Sequence, residues 1–320
     1  MRKILLVGGA GFIGTQLCRD LLDRKYEVTV VDLLWFGNHL SKEIKLIKQD
    51  ARELDPKDIT GYDALIFLGG LSNDPMANFN PSMNFVHNAA VPTYLAFIAK
   101  QAGIPRFVYA GSCSVYGYTS NKLMTEEDPV GPNFPYGISK ILGEQAVFSL
   151  EDENFRPISL RKGTVGGWSP RMRYDLVVNA MTKTAISEGK IIVNNPSIWR
   201  PLIDIRDACK AYIRAIEANL EITGVFNICY DNFTIGRLAE EIKDELKIHG
   251  IETELIIKDI QDVRNYKVTN DKARTVLDFV PRYHPARDSV REILKNIDQE
   301  NYDFKKKDYY NIAVFEEQFG

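Results

Sequence analysis

Ile4-Leu5-Leu6-Val7-Gly8-Gly9-Ala10-Gly11-Phe12-Ile13-Gly14 is an apolar run of strand length that enters a glycine turn. The turn opens a helical pattern with Phe12, Ile13, Leu17, Leu21 and Leu22 at its apolar positions. Val28-Thr29-Val30-Val31-Asp32 follows as a second apolar strand that ends in an acid. Strand, glycine turn, helix, strand and acid, in that order, are the layout of a dinucleotide-binding βαβ unit. Gly8 allows the sharp turn, Gly11 leaves room for a pyrophosphate at the helix N-terminus, and Gly14 allows close packing of helix and strand. The helix dipole and its free N–H groups favour the phosphates. Asp32, with Leu33 beside it, is placed for the adenosine ribose hydroxyls. Its charge disfavours a 2′-phosphate, so NAD is expected rather than NADP.

Working outward, the same rhythm continues to about residue 165. Ile44–Ile47, Ala64–Leu68, Phe107–Gly111 and Ile158–Arg161 read as further strands, and 84–101 and 136–149 as helices. Apolar strands spaced by helices predict a doubly wound, parallel α/β sheet of the Rossmann type, covered on both faces. Ligands of such sheets bind beyond the carboxyl ends of the strands, which here means the loops from Gly8, Asp32, Asp50, Gly69 and Gly111. After residue 165 the rhythm breaks. Helices are expected over 175–188, 207–219 and 235–246, with short strands at 191–193, 201–205, 225–229 and 254–257. Residues 1–165 are thus expected to form a dinucleotide-binding domain, and 166–320 a smaller α/β substrate lobe partly interleaved with it. The last ~20 residues, weakly periodic, are expected as a docked tail or a frayed end.

The 320 residues carry a net charge of −3, which gives no electrostatic case for nucleic acid or an anionic membrane. No apolar stretch approaches the ~18 residues that span a bilayer, and no leader precedes the first strand, so a cytoplasmic protein is expected. The four cysteines and four histidines are scattered without metal spacing, so no metal site is expected.

Ser112 follows the strand at 107–111, and Tyr136-Gly137-Ile138-Ser139-Lys140 comes 24 residues later. On a helix, positions i and i+4 share a face, so the phenol of Tyr136 and the ammonium of Lys140 point to one place. A phenol is a poor base near neutrality, and a neighbouring cation favours its phenolate. With Ser112 as a second hydrogen-bond partner, the trio suits removal of a carbinol proton while hydride leaves for NAD.

These stretches resemble the extended short-chain dehydrogenases/reductases that act on nucleotide sugars. The matching pieces are Gly8-x-x-Gly11-x-x-Gly14, Asp32, Asp50-Ala51, Ser112-x-x-Val115-Tyr116-Gly117, Tyr136-x-x-x-Lys140 and Arg200-Pro201-Leu202-Ile203-Asp204-Ile205-x-Asp207, which together cover nearly the whole chain. The resemblance implies NAD along the first lobe, touched by Phe12, Ile13, Asp50, Ala51, Leu68, Gly69, Gly70, Asn88 and Gly163 besides the glycine turn, Tyr136 and Lys140. It implies a nucleoside-diphosphate sugar in the second lobe, with Asn73, Ser112, Cys113, Tyr136, Thr164, Arg171, Arg173, Asn179, Arg200 and Arg264 as its contacts. It also implies a homodimer through the helices near Asn84 and Tyr136. Arg171-Met172-Arg173 before Asp175-Leu176 is similar to a subgroup acting on capsule-type nucleotide sugars.

Four positions depart from the family pattern. Dehydratase relatives carry Asp and Glu directly after the catalytic Ser or Thr, where this chain has Cys113 and Ser114, neither acidic enough to expel hydroxide. Thr164 stands where many relatives have Asn, and Asp204 where the second-lobe motif usually has His. A nucleotide-sugar 4-epimerase is expected. A 4-dehydrogenase or 4-keto reductase uses the same residues, and a 4,6-dehydratase is the weaker enzymatic alternative. The non-enzymatic alternative is an NAD-sensing regulator.

Overall fold

The computed structural model describes residues 2–258, 265–297 and 302–320. Its first half contains β1 (Lys3–Val7), α1 (Phe12–Asp23), β2 (Glu27–Asp32), β3 (Lys45–Lys48), β4 (Ala64–Phe67), α2 (Asp74–Phe79), α3 (Pro81–Phe85), α4 (Val91–Gln101), β5 (Arg106–Tyr109), β6 (Tyr118–Met124), α5 (Pro135–Phe148) and β7 (Arg156–Lys162). The remainder contains β8 (Thr164–Gly166), α6 (Val177–Glu188), β9 (Lys190–Asn194), β10 (Trp199–Asp204), α7 (Ile205–Glu217), β11 (Gly224–Ile228), β12 (Asp231–Thr234), α8 (Ile235–Ile248), β13 (Glu254–Lys258), β14 (Asn265–Val268), α9 (Asp271–Val276), α10 (Arg287–Ile297) and α11 (Asn311–Phe319).

Seven strands form one sheet in the order β11-β7-β5-β4-β1-β2-β3, every pair parallel. Beyond β3 the chain returns past β1 to β4, so the switch point lies between β1 and β4, where Gly8 begins its turn. α1 and α7 pack on one face through Leu17, Leu21, Ala208 and Tyr212, and α4 and α5 on the other through Leu95, Ile98 and Val147. This is the expected doubly wound Rossmann sheet. One strand is reassigned: 225–229, expected in the small lobe, is the edge strand β11 beside β7. Its residues Phe226 and Ile228 are fully buried, and that edge of the main sheet is where their apolar side chains find a core.

The second lobe holds a three-stranded sheet, β12-β10-β8, and the pair β13-β9, covered by α6, α8 and α10. The expected helix over 84–101 starts earlier, at Pro81, and passes through a π-helical stretch at Val86–Ala90 between α3 and α4. Such a stretch re-aims side chains. Here it includes Asn88, whose Nδ2 donates to the Leu71 carbonyl at 2.8 Å and to Asn84 Oδ1 at 2.7 Å. Residues 307–319 dock rather than fray: buried Phe315 sits edge-on to Trp35 and stacks near Phe36.

Candidate active site

A cavity of about 620 Å³ runs along the carboxyl ends of six adjacent strands, from Asp50 after β3, past Asp32, Gly8 and Gly69, to Ser112 after β5 and Gly163 after β7. At ~4.8 Å per strand spacing its two ends lie on the order of 24 Å apart. The Asp32–Asp50 end and the Ser112–Gly163 end are therefore separated along its length.

At the β3–β1 end the chain is shaped for a dinucleotide. Gly8 has φ +80°, and a Cβ there would meet the Gly69 backbone nitrogen at 2.3 Å. Gly11 differs, because a Cβ on it would meet nothing nearer than the Gly8 oxygen at 3.5 Å, so its bareness serves the cavity and not the chain. Gly11 is also the N-cap of α1 without a side-chain cap, which leaves the N–H groups of the first turn, including those of Phe12 and Ile13, for an anion. Asp32 is pre-oriented: its Oδ2 accepts from the Ala10 N–H at 2.9 Å and its Oδ1 from the Leu34 N–H at 2.7 Å. Burial raises its pKa, and those two backbone donors oppose the rise. Asp50 caps the turn at Ala51–Glu53 and pairs with Arg52 at 2.6 Å, which holds its carboxyl below the usual range. Gly14, Leu33, Ala51, Leu68 and Gly70 line the same stretch. These residues fit NAD. Replacing Gly11 with Ala should leave folding intact and weaken NAD binding. Gly8→Ala should lower stability by at least ~1–3 kcal/mol, from backbone strain and overpacking. Thermal melts and NAD titration of both variants separate the two effects.

At the β5–β7 end Ser112, Tyr136 and Lys140 come together. Pro135 starts α5, and Tyr136, Lys140 and Glu144 fall on successive turns of it. Ser112 is held by its own turn, accepting from the Ser114 N–H at 3.2 Å and donating to Ser114 Oγ at 3.1 Å, and its hydroxyl lies close enough to the Tyr136 phenol to oppose the rise in its pKa. Burial pushes that phenol up to about 12 and the Lys140 ammonium down to about 7. Lys140 Nζ lies 5.9 Å from the Tyr136 ring centroid and 5.3 Å from that of Tyr109. Glu144 anchors this face of α5 to β7, with Arg161 at 2.5 Å and Ser159 donating to it at 2.7 Å. A second lysine, Lys162, lines the cavity and donates to the Gly111 carbonyl at 2.9 Å, and burial lowers it also to about 7. The sequence carried one signal for it, a charged residue at the end of a buried strand.

The second-lobe wall brings in Thr164, Arg171, Arg173 and Arg200. Arg200 donates to the Trp199 carbonyl at 2.8 Å and faces the Tyr266 ring at 5.5 Å. Arg173 is held by Asp175 in a two-bond pair, at 3.0 and 2.7 Å, and Asn73 donates to the same carboxylate at 2.8 Å. Three expected contacts do not line the cavity. Cys113 is fully buried with its thiol donating to the Arg161 carbonyl at 3.0 Å, because the turn after Ser112 points it into the core while Ser114 faces the cavity. Asn179 is fully buried and ties Gly167 to Arg173, accepting from one backbone and donating to the other. Asn88 supports the Gly69-Gly70 turn from behind, its Oδ1 only 2.0 Å from where a Gly70 Cβ would stand. Arg264 lies outside the described residues. Asp204 caps α7 and accepts from Arg206 and Ser289, which accounts for an acid at that position. Trp35, Ser72, Tyr212 and Asn311 also line the cavity, and nothing local in the sequence marks them.

The sequence model of the NAD dependent epimerase/dehydratase family matches residues 4–229. A UDP-glucose 4-epimerase of Rhizobium leguminosarum bv. trifolii is 27% identical over 315 residues, covering 88% of this chain and 93% of that protein. The fold is shared with a UDP-glucuronic acid 4-epimerase from Bacillus cereus solved with UDP-glucuronic acid and NAD, at TM-score 0.80, 23% identity and coverage of 93% and 99%. It is shared equally with an NAD dependent NDP-hexosamine 5,6-dehydratase, at TM-score 0.81, 20% identity and coverage of 94% and 99%.

Proposed function

This chain belongs to the NAD dependent epimerase/dehydratase family and is an NAD-dependent enzyme; from that premise we propose that it is a nucleotide-sugar 4-epimerase. The observation that carries the proposal is the meeting of Ser112, Tyr136 and Lys140 in a cavity where the residue after Ser112 is turned into the core. Bound NAD supplies a reversible hydride acceptor. Tyr136 takes the proton from the sugar's 4-hydroxyl oxygen and returns it, while Ser112 holds that oxygen and Lys140 favours the phenolate. Cys113 and Ser114 give the site no carboxylate directly after Ser112 to protonate a leaving hydroxyl. The Cys113 thiol, its pKa raised well above the usual value by burial, takes no part in proton transfer next to a keto group. In this scheme residues 1–165 hold the dinucleotide and residues 166–320, partly interleaved with them, the nucleotide sugar, with Thr164 at the boundary and Arg173 and Arg200 on the sugar side. The relatives named as UDP-glucose 4-epimerases support UDP as the nucleotide.

The test is incubation of the purified protein with UDP-, GDP-, dTDP- and CDP-hexoses, following products by NMR and NADH by absorbance. A new C4 stereoisomer without net NADH is the expected result. Stoichiometric NADH with a 4-keto product would make it a 4-dehydrogenase, and loss of water would make it a dehydratase. The proposal includes a homodimer through α4 and α5, which expose Phe97 and Leu142 at 47% and 45%. Phe97→Glu with Leu142→Glu should convert a dimer to a monomer in sedimentation velocity.

A further inference from the structure

Arg171 is a guanidinium in an unusual place. It is 1% exposed, sits 4.0 Å over the Phe36 ring, donates to Asn311 Oδ1, and lines the cavity. Its Nε has no hydrogen-bond partner, and among the described residues no carboxylate lies within ion-pair distance. The charges felt there are Arg173, which repels, and Asp175, Asp308 and Asp32, which attract from farther away. A buried cation without a paired anion is destabilising on its own, so the site is built for a negative group that arrives with a ligand.

Position tells which ligand. Ser169, two residues earlier, donates to the Phe12 carbonyl at 2.6 Å and bonds Thr15 at 2.8 Å, which pins this segment onto the first turn of α1. Phe36 belongs to the loop after β2, on the Asp32 side of the cavity, and Asn311 also donates to Ser72 after β4 at 3.0 Å. Arg171 therefore lines the β2–β1–β4 section of the cavity, on a segment pinned to the first turn of α1. We infer that Arg171 binds the pyrophosphate of NAD from the second lobe, opposite the glycine turn, with Asn311 positioning its guanidinium. This differs from the sequence-based expectation that Arg171 grips the sugar nucleotide. The inference rests on the NAD cofactor and not on which sugar reaction the enzyme performs.

The experiment is calorimetric titration of nucleotide-free wild type and Arg171→Met with NAD and, separately, with UDP, alongside the melting temperature of each nucleotide-free protein. One lost charge-assisted contact predicts NAD binding weaker by about 10- to 100-fold. UDP binding should stay within about twofold, and the nucleotide-free variant should melt no lower than wild type, since it loses an unpaired buried charge. Asn311→Ala keeps the charge and loses its positioning, so its NAD affinity should fall less, and Arg171→Lys should recover part of the loss. Unchanged NAD affinity in Arg171→Met would overturn the inference. So would weakened UDP binding with NAD binding intact, which would return the residue to the sugar nucleotide. A large drop in melting temperature without ligand would make the guanidinium structural.

Discussion

Tyr136→Phe is expected to lower kcat by about 10²–10⁴-fold, the range lost with a general acid–base group, with little change in KM. The phenol is the one proton carrier that Ser112 and Lys140 jointly address, and no other residue of the trio replaces it: a serine hydroxyl is a far weaker acid, and Lys140 acts through its charge. Steady-state kinetics on the best nucleotide sugar would show the loss, and the same variant should still bind NAD. A near wild-type rate would remove Tyr136 from the mechanism. The neighbouring charge gives a second, signed result. Burial raises the phenol's pKa to about 12, which the Ser112 hydroxyl and the Arg173 guanidinium oppose, and a protonated Lys140, its Nζ 5.9 Å from the ring centroid, is expected to favour the phenolate further. Lys140→Met removes that last effect, so the acidic limb of the pH–rate profile should move to higher pH.

Glu144→Ala should be among the most destabilising single changes in the protein. Glu144 and Arg161 are nearly fully buried, joined at 2.5 Å, with Ser159 donating to the carboxylate and Arg161 donating to the Tyr116 hydroxyl at 3.0 Å. Removing the acid leaves Arg161 uncompensated, at a cost of about 3–5 kcal/mol. That is a large fraction of the ~5–15 kcal/mol by which folded proteins are stable. Thermal melts measure it. The double variant Glu144→Leu with Arg161→Met should lose much less, because replacing both members of a buried pair with apolar groups is often close to neutral. A double variant as unstable as Glu144→Ala would mean that packing, and not the orphaned charge, sets the cost. Since Glu144 lies two turns after Tyr136 on α5, Glu144→Ala should also reduce kcat through displaced chemistry.

The sequence by itself determined the features whose parts are neighbours along the chain. The glycine turn with its strands and Asp32 is one βαβ unit, and Tyr136 with Lys140 is one helix face, so fixed spacing carries the geometry. Ser112 was legible because the end of a buried strand in a parallel sheet is a known place for ligands. Tertiary structure alone decided the rest. Cys113 and Asn179 read as site residues but are buried in hydrogen bonds to backbone groups, and Asn88 proves to be a support beneath Gly70. β11 joins the main sheet from far down the chain. Asn311 reaches Arg171 across 140 residues and Ser72 across 239. No local pattern encodes such meetings, because burial and charge pairing depend on which distant segments share a core. An arginine on the surface and an unpaired one facing a cofactor site are the same letter until the fold removes the water around one of them.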